Sequence, residues 1–318
     1  MTRDSLGDRM KTYYEEVTKT KLTRRMPVII RLDGCHFHTF TRGFEKPFDG
    51  LLIKAMQATM KYLCENIQGC VLGYTQSDEI TLVLVDYKKL NSSAWFDSEV
   101  QKIVSVSAAM ATYAFNKYFN EFYLDQLAEK GEADKYDLVY DTARRKGAYF
   151  DSRAFNIPRE EVTNCVLWRQ LDAERNSILS LGQANFSHKQ LQGKSCKAIV
   201  TMLEEEKGII WGNLPTHLKR GSCCIKETWL TLDDGQKVKN KTHISYNGET
   251  GDFYWDGDGY YFYATGRVND PNMIYTCPKG KKLEVKEQST WRTDEDIPKF
   301  VEDGREYIEK LIYPEDEE

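Results

Sequence analysis

Long apolar runs, proline and glycine are all scarce in this sequence. No uninterrupted apolar segment is long enough to cross a membrane, so we expect no transmembrane helix. The first residues, MTRDSLGDRMKTYYEE, are charged and lack the apolar stretch of a secretion signal, which favours a cytoplasmic protein. With 8 prolines and 21 glycines in 318 residues, a collagen-like or linker-dominated chain is excluded.

Metal-binding spacings of cysteine and histidine are also absent. The 8 cysteines form no CxxC pair, and the 5 histidines form no HExxH motif. In a chain of this length without a recognisable signal, this pattern favours free buried thiols over disulfides or a zinc site.

The residues that are present have the proportions of a globular protein. Hydrophobic residues make up 41% of the chain and aromatic residues 12%, which excludes wholesale disorder. The 318 residues allow one large domain or two modest ones. The 44 basic and 49 acidic residues argue against a histone-like polycation, but they exclude no nucleic-acid partner, because phosphate binding depends on local patches.

The first half of the chain alternates between strand and helix patterns. β-branched apolar runs predict strands, and apolar residues at helical spacing predict helices. In order, the elements are a strand at 27–32, a helix at 51–66, a hairpin of strands at 71–75 and 80–87, a helix at 98–119 capped by Ser98, and a strand at 148–158. This β-α-β-β-α-β succession predicts an α+β fold over residues 1–158, a ferredoxin-like unit with helices on one face of an antiparallel or mixed sheet.

The remaining residues, 159–318, are expected to add helices and a small β-rich part. Helical patterns extend from 160 to about 224, and a terminal helix is predicted at 296–312. Residues 228–285 are rich in Gly, Asp, Tyr and Thr and predict a β-rich insertion. The DGDGYYFY run at 256–263 lacks the closing glutamate of an EF-hand loop and is interpreted as turns.

Two carboxylates far apart in the sequence are brought together by this topology. Asp33 follows the first strand, and Asp78 lies in the hairpin turn beside Glu79. A right-handed crossover makes the first two strands run in the same direction, so both aspartates must lie at one edge of the sheet. Each could belong to an ordinary turn, but together, and with the unshielded Gly34 carbonyl, they could hold Mg²⁺. Two such ions stabilise phosphoryl transfer.

Candidate phosphate-binding residues surround this edge. Lys46 lies in the FEKPFD loop, which a proline stiffens, and Ser77 could donate its hydroxyl beside the metal. Arg31, on the same side of the strand as Asp33, needs an anionic partner, either Asp33 itself or a phosphate. Lys102 opens the second long helix, whose dipole also favours anions.

The two histidines of GCHFHTF, His36 and His38, have a spacing that could ligate zinc. No second Cys or His pair follows at a suitable interval, however. One of them is therefore expected to pack under a nucleotide base or under the loop, with the other exposed.

The later helical stretch supplies further polar candidates. In WRQLDAERNSI, Arg169 and Asn176 either face a nucleotide site or belong to a solvated amphipathic helix. Lys219 and Arg220 precede a glycine and could clamp a triphosphate or an RNA backbone.

Five blocks of the sequence resemble the tRNA-histidine guanylyltransferase superfamily, including its bacterial and archaeal guanylyltransferase-like branch. They are RLDGCHFHTFTRGFEKPFD (31–49), GYTQSDEITLVL (73–84), WRQLDAERNSI (168–178), LKRGSC (218–223) and DEDIPKFVEDGREYIEKLI (294–312). The blocks occur in the family's order and span most of the chain.

The resemblance implies a reverse polymerase that adds nucleotides to the 5′ end of tRNA on a polymerase palm. ATP would adenylylate a 5′-monophosphate, and the 3′-hydroxyl of GTP would then attack it. Asp33, the Gly34 carbonyl and Asp78 would hold two Mg²⁺, with Glu79 supporting that site as the third catalytic residue. The family typically assembles as a homotetramer whose subunits share the tRNA.

Other residues would bind the substrates. The resemblance implies that Lys46, Ser77 and Asn176 contact the triphosphate and that His38 and Lys102 lie near the nucleotide, with Arg31 as a further candidate. The basic residues predicted to contact tRNA are Arg153, Arg169, Lys219 and Arg220.

One departure from the family concerns tRNA choice. Eukaryotic tRNA-histidine enzymes carry His-Ile-Asn-Asn-Leu-Tyr-Asn-Thr where this chain has residues 174–181, ERNSILSL. Asn176 is retained, but the histidine and tyrosine are not, which favours the guanylyltransferase-like branch that repairs truncated tRNA 5′ ends by templated addition.

Two alternatives to this function are open at the level of sequence. A nucleotidyl cyclase or cyclic-dinucleotide synthase shares the palm and two-metal chemistry but acts on free nucleotides without tRNA. An RNA-binding module that uses its sheet face needs exposed aromatic residues, whereas the strands here are aliphatic, and it leaves Asp33 and Asp78 unexplained.

Overall fold

The computed structural model describes residues 5–130 and 135–231, short strands between 237 and 283, and residues 286–313. The chain forms two compact units. The first consists of Met1–Ile225 with Thr293–Glu318, and the second is Lys226–Arg292.

The first unit and its junctions contain the long strands. The strands of the chain are β1 (Val28–Cys35), β2 (Cys70–Gln76), β3 (Glu79–Leu84), β4 (Tyr149–Asn156), β5 (Ser222–Thr231), β6 (Lys237–Val238), β7 (Ile244–Asn247), β8 (Asp252–Trp255), β9 (Phe262–Tyr263), β10 (Ile274–Tyr275), β11 (Lys282–Leu283) and β12 (Lys286–Asp294). Short strands β6–β11 thus occupy the segment where the sequence predicts a β-rich insertion. The Asp-Gly pairs at 234–235, 256–257 and 258–259 lie outside the described residues.

Most of the first unit is helical. The α-helices are α1 (Ser5–Met10), α2 (Phe37–Phe40), α3 (Gly50–Asn66), α4 (Val100–Lys130), α5 (Asp137–Lys146), α6 (Arg159–Asn185), α7 (His188–Leu191), α8 (Cys196–Lys207), α9 (Thr216–Arg220) and α10 (Glu306–Ile312). Within the described part of the chain, no helix has the length and apolar character needed to span a bilayer.

The central sheet confirms the predicted α+β class. Its strands lie in the order β12-β5-β2-β3-β1-β4. β3 pairs antiparallel with both β1 and β2, so β1 and β2 run in the same direction on either side of it. β1 also pairs antiparallel with β4. The predicted succession of strand, helix, hairpin, helix and strand is therefore present as β1, α3, β2–β3, α4 and β4.

Buried side chains cover both faces of this sheet. On one face, the aromatic rings of Phe37, Phe40 and Phe150 pack with Phe115 and Phe119 of α4. This cluster fixes the chain immediately after β1 against α4 and β4.

On the opposite face, helices from the second half of the chain pack on the sheet. Ile29 and Tyr74 of the sheet lie in one apolar cluster with Val166 of α6 and with Phe300 and Ile308 near the C-terminus. α6 thereby runs over the strands that carry the predicted carboxylates.

Two predicted helices differ in their limits. α4 begins at Val100 rather than Ser98, because Phe96, Asp97 and Ser98 have positive φ values (49°, 50° and 63°) that an α-helix does not accept. The terminal helix begins at Glu306, ten residues later than predicted from 296. Glu302 has a positive φ of 48°, which an α-helix does not accept, so the helix starts only after this residue.

Candidate active site

The predicted meeting of two distant carboxylates at one sheet edge is present. Asp33 is paired with Glu79 in the β1–β3 register, and the Gly34 N–H donates to the Asp78 carbonyl at 3.1 Å. The end of β1 and the β2–β3 turn are therefore joined by a main-chain hydrogen bond. The negative charge of Asp33 also contributes to raising the pKa of Asp78.

Asp78 lies in a poorly solvated position. Burial is the largest cause of its raised pKa, and the charge of Asp33 adds to it, while the Ser77 hydroxyl, 3.0 Å away, acts in the opposite direction. Ser77 itself has a positive φ of 51°, so the turn is tightly constrained. Two neighbouring carboxylates that are both partly buried favour a bound cation.

Gly34 is required for a reason that the sequence did not reveal. A Cβ at this position would overlap the Phe37 ring, whose Cγ would lie 2.6 Å away. His36, with φ 56°, turns the chain so that Phe37 folds back beneath β1. The glycine thus allows a close contact between the strand end and the aromatic cluster.

A cavity of about 370 Å³ opens at this edge, within the size range of small-molecule sites. It is lined by the turn after β1, the β2–β3 turn, α6 and α9. The residues predicted to act there that do line it are His38, Lys46, Ser77, Asp78, Asn176 and Lys219. Sequence motifs from four separate regions therefore converge on one cavity.

Lys46, one of the two lysines that line the cavity, lies in a loop whose ends are bonded to Asp49. The buried Asp49 carboxylate accepts hydrogen bonds from the N–H groups of Leu52 and Glu45, each at 2.9 Å, and from the Tyr140 hydroxyl at 2.7 Å. It caps α3 and ties both ends of the loop that contains Lys46. Its position one residue before a helix could have indicated this role from the sequence.

Asp49→Ala should lower the free energy of unfolding by about 2 kcal/mol, because it removes a helix cap and hydrogen bonds to a charged group. Urea unfolding of the variant measures this loss. Asp49→Asn, which keeps capping ability, is the matched control and should lose less. An alanine variant as stable as wild type would contradict the assignment.

Arg169 is not available to tRNA, contrary to the prediction. Its side chain is buried, with Nε 2.6 Å from Glu79 Oε1 and the terminal nitrogen 2.8 Å from Asp172 Oδ2. Glu79 is therefore committed to Arg169. Burial raises the pKa of Glu79, and the Arg169 charge opposes that effect.

Lys102 does not lie near the nucleotide candidates. A hydrogen bond between the Ser107 and Ser152 hydroxyls and one from the Phe150 N–H to Thr112 show that α4 starts near the far end of β4. Ser152 stands opposite Leu32, and Lys102 precedes Ser107 by five residues, about 7.5 Å along the helix axis in the direction away from Asp33. A helix that returns along the sheet necessarily begins at the opposite edge.

The other predicted basic residues lie around the edge without entering the cavity. Arg31 places its guanidinium 5.5 Å from the Trp168 ring centroid, and Arg220 lies half-buried with Nε 3.7 Å from Glu174 Oε1. His36 is exposed beside His38, with ring centroids 6.2 Å apart. None of these three lines the cavity described above.

The edge also contains a carboxylate that sequence reasoning missed. Asp151 of β4 stands opposite Asp33 in the β1–β4 register, and its side chain lies 3.7 Å from Arg153. Arg153 is exposed on this edge strand, as a tRNA contact requires. A single sequence does not determine strand register, so no sequence pattern indicated that Asp151 pairs with Asp33.

Protein groups alone do not form a closed metal cage here. Across the described residues, no group of three or more His, Cys, Asp or Glu side chains is arranged to hold a metal ion. The seven described cysteines are free thiols, with Cys64, Cys223 and Cys224 buried. A metal at this edge would need water or substrate oxygens to complete its ligand set.

Several proteins similar to this chain carry the name of one family. The family described as tRNAHis guanylyltransferase (Thg1) matches residues 7–158. A bacterial tRNA(His) guanylyltransferase (Thg1)-like protein solved in complex with ATP is 37% identical, with 98% of this chain and 100% of that chain covered and a TM-score of 0.69. For the complex of such a protein with GTP, identity is 35%, coverage 98% and 100%, and the TM-score 0.62. tRNA(His) guanylyltransferase 2 of Arabidopsis thaliana is 24% identical over 247 residues, 72% of this chain and 42% of that protein. This chain belongs to the tRNA(His) guanylyltransferase family.

Proposed function

We propose that this chain is a nucleotidyltransferase that adds GMP or other nucleotides to the 5′ end of tRNA in the 3′–5′ direction. The observation that carries the proposal is the cavity at the sheet edge, where Asp78 meets Lys46, Ser77 and Asn176. Relatives that were solved with ATP and with GTP support nucleotides as the substrates.

We infer that Mg²⁺ binds at the edge through Asp33, Asp78 and the Gly34 carbonyl. The residues fit this ion, since Mg²⁺ uses one or two carboxylates and completes its shell with water and phosphate oxygens. The charge of Asp33, which contributes to raising the pKa of Asp78, also favours a cation beside Asp78. Two such ions would neutralise phosphate charge and activate the attacking hydroxyl.

The chain's own residues would bind and orient the nucleotide. The Lys46 ammonium supplies a positive charge to the triphosphate, and the Ser77 hydroxyl and Asn176 amide supply hydrogen bonds to it. Lys219 is a further candidate for the triphosphate, because it lines the same cavity while its Nζ donates to the Gly212 carbonyl at 2.5 Å. ATP would activate the tRNA 5′-monophosphate before the 3′-hydroxyl of the incoming nucleotide attacks.

We further propose that residues 1–158 form a ferredoxin-like polymerase palm and that residues 159–318 complete nucleotide and tRNA binding. The neighbouring order β2-β3-β1-β4, with α3 and α4 as the two crossovers, supports the palm. Arg153 stays the best-placed tRNA contact because it is exposed near the carboxylates. The homotetramer rests on the resemblance alone, and the cytoplasmic location stays a prediction from the sequence.

A primer-extension assay tests this function. Incubation with Mg²⁺, ATP, GTP and a 5′-monophosphorylated tRNA that lacks its first nucleotide should give labelled 5′ extension, and Asp33→Asn should remove it. Varying the opposing base distinguishes templated repair from guanylate addition. Product formed from GTP alone, independent of tRNA, would refute the proposal and favour a nucleotidyl cyclase.

A further inference from the structure

A row of polar side chains runs from the carboxylate edge along α6 into the cavity. Arg169 donates to Glu79 at 2.6 Å and to Asp172 at 2.8 Å, and the Asn176 Nδ2 donates to Asp172 at 3.2 Å. Residues 169, 172 and 176 are three and four apart, so they lie on one face of the helix. The last of them lines the cavity.

The arginine at the start of this row is buried and contacts three other side chains. Arg169 is 8% exposed, and its guanidinium lies 4.3 Å from the Trp168 ring centroid. Its planar fork contacts two carboxylates through different nitrogens, which lysine, as a point charge, does not reproduce. A buried ion pair of this kind is weak support for stability in itself, which leaves its geometry to be explained.

Arg169 also affects the charge balance among the carboxylates at this edge. The single positive charge of Arg169 is shared between Glu79 and Asp172, which leaves Asp33 and Asp78 for the substrate side. Asp172, whose side chain is 30% exposed, accepts one N–H of the Asn176 Nδ2 group, so the second N–H of that group is left to donate to a phosphate. Without a fixed acceptor, the amide could rotate by half a turn and present its oxygen to a phosphate.

We propose that Arg169 is a positioning residue that acts through Asp172 to orient Asn176 toward the nucleotide, with Glu79 as its anchor on the sheet. The inference rests on the proposed function of the cavity as the nucleotide site. It replaces the predicted tRNA contact of Arg169 with a role in nucleotide affinity.

Arg169→Lys and Asp172→Asn test this role. Each should raise the KM for the nucleotide by about tenfold, the order expected from one weakened hydrogen bond to a charged group, while kcat changes by less than about threefold. Asp172→Asn carries a smaller risk of misfolding than Arg169→Lys, because the Asp172 side chain is 30% exposed. Arg175→Lys, an exposed neighbour on α6, is the matched control and should leave both parameters unchanged.

A double-mutant cycle identifies the route of the effect. If Arg169 acts through Asn176, the KM effects of Arg169→Lys and Asn176→Ala combine less than additively. Additive effects, or a lower melting temperature with an unchanged KM, would overturn the proposal, because a purely structural arginine gives that result.

Binding of a fluorescent GTP analogue to the full chain separates this inference from the proposed function. A wild-type protein that binds the analogue but extends no tRNA refutes the proposed function. The affinity of Arg169→Lys for the analogue still tests the positioning role of Arg169. Tenfold weaker binding of the analogue by Arg169→Lys supports the positioning role. Unchanged binding overturns it.

Discussion

Asp78→Asn should lower the rate of 5′ nucleotide addition by about 10³-fold while raising the melting temperature of the metal-free protein at neutral pH. The loss of rate is expected because Asp78 is proposed to bind Mg²⁺, and a carboxylate in that role contributes several kcal/mol to transition-state stabilisation. The gain in stability is expected because burial, together with the charge of Asp33, disfavours the ionised form of this residue. Steady-state extension assays and thermal unfolding in EDTA measure the two effects.

The stability effect has a defined pH dependence. The folded-state pKa of Asp78 lies above its ordinary value of 3.8, so the folded protein binds this proton more tightly than the unfolded chain. Its contribution to stability is therefore fully present below about pH 4 and is lost as pH rises through the raised folded-state pKa. The advantage of Asp78→Asn should be visible at pH 7 and vanish near pH 4.

A matched carboxylate separates this effect from a general loss of negative charge. Asp125 is exposed on α4, outside the site, and Asp125→Asn should leave both rate and melting temperature unchanged. An Asp78→Asn protein that keeps a tenth or more of the wild-type rate would remove the basis for metal binding at this edge.

Gly34→Ala should destabilise the protein by about 3 kcal/mol and lower the rate by about 100-fold. The added methyl group overlaps the Phe37 ring, which is held by Phe115 and Phe150 and has no free space to enter. Because the Gly34 N–H is bonded to Asp78, a shift of the strand end also moves the carboxylates, and a displacement of about 1 Å can cost this factor in rate.

Gly50→Ala is the control for this substitution. Gly50 opens α3, and a Cβ there would have nothing within 4 Å. Alanine favours the helix, so this variant should be as stable as wild type or more stable by up to about 1 kcal/mol. Chemical denaturation of both variants measures the difference, and equal stabilities for the two would contradict the packing described for Gly34.

The features that could be predicted from the sequence depend on topology and local pattern. Strand and helix periodicity was enough to establish the order of elements, and that order alone placed Asp33 and Asp78 at one edge. The resemblance to the guanylyltransferase family implied that Lys46, Ser77 and Asn176 contact a triphosphate, and the structure brings these three residues into one cavity.

The features that could not be predicted depend on tertiary packing. A basic residue in a polar helix gives no sign of burial, so Arg169 was assigned to tRNA although it pairs with Glu79. The charge of Lys102 suggested an anion site, but the direction in which α4 crosses the sheet places it at the wrong end. The strand register that places Asp151 opposite Asp33 likewise could not be predicted from the sequence.

The hydrogen bond between the Gly34 N–H and the Asp78 carbonyl has a consequence for ion selectivity. It joins two segments through backbone atoms, so the spacing of the attached acids is set before any ligand arrives and changes little when side chains are exchanged. Magnesium tolerates only a narrow range of ligand distances, whereas calcium adapts to many. We expect the proposed magnesium site to discriminate between the two ions by ionic radius, and the rigidity of the main chain to be the source of that preference.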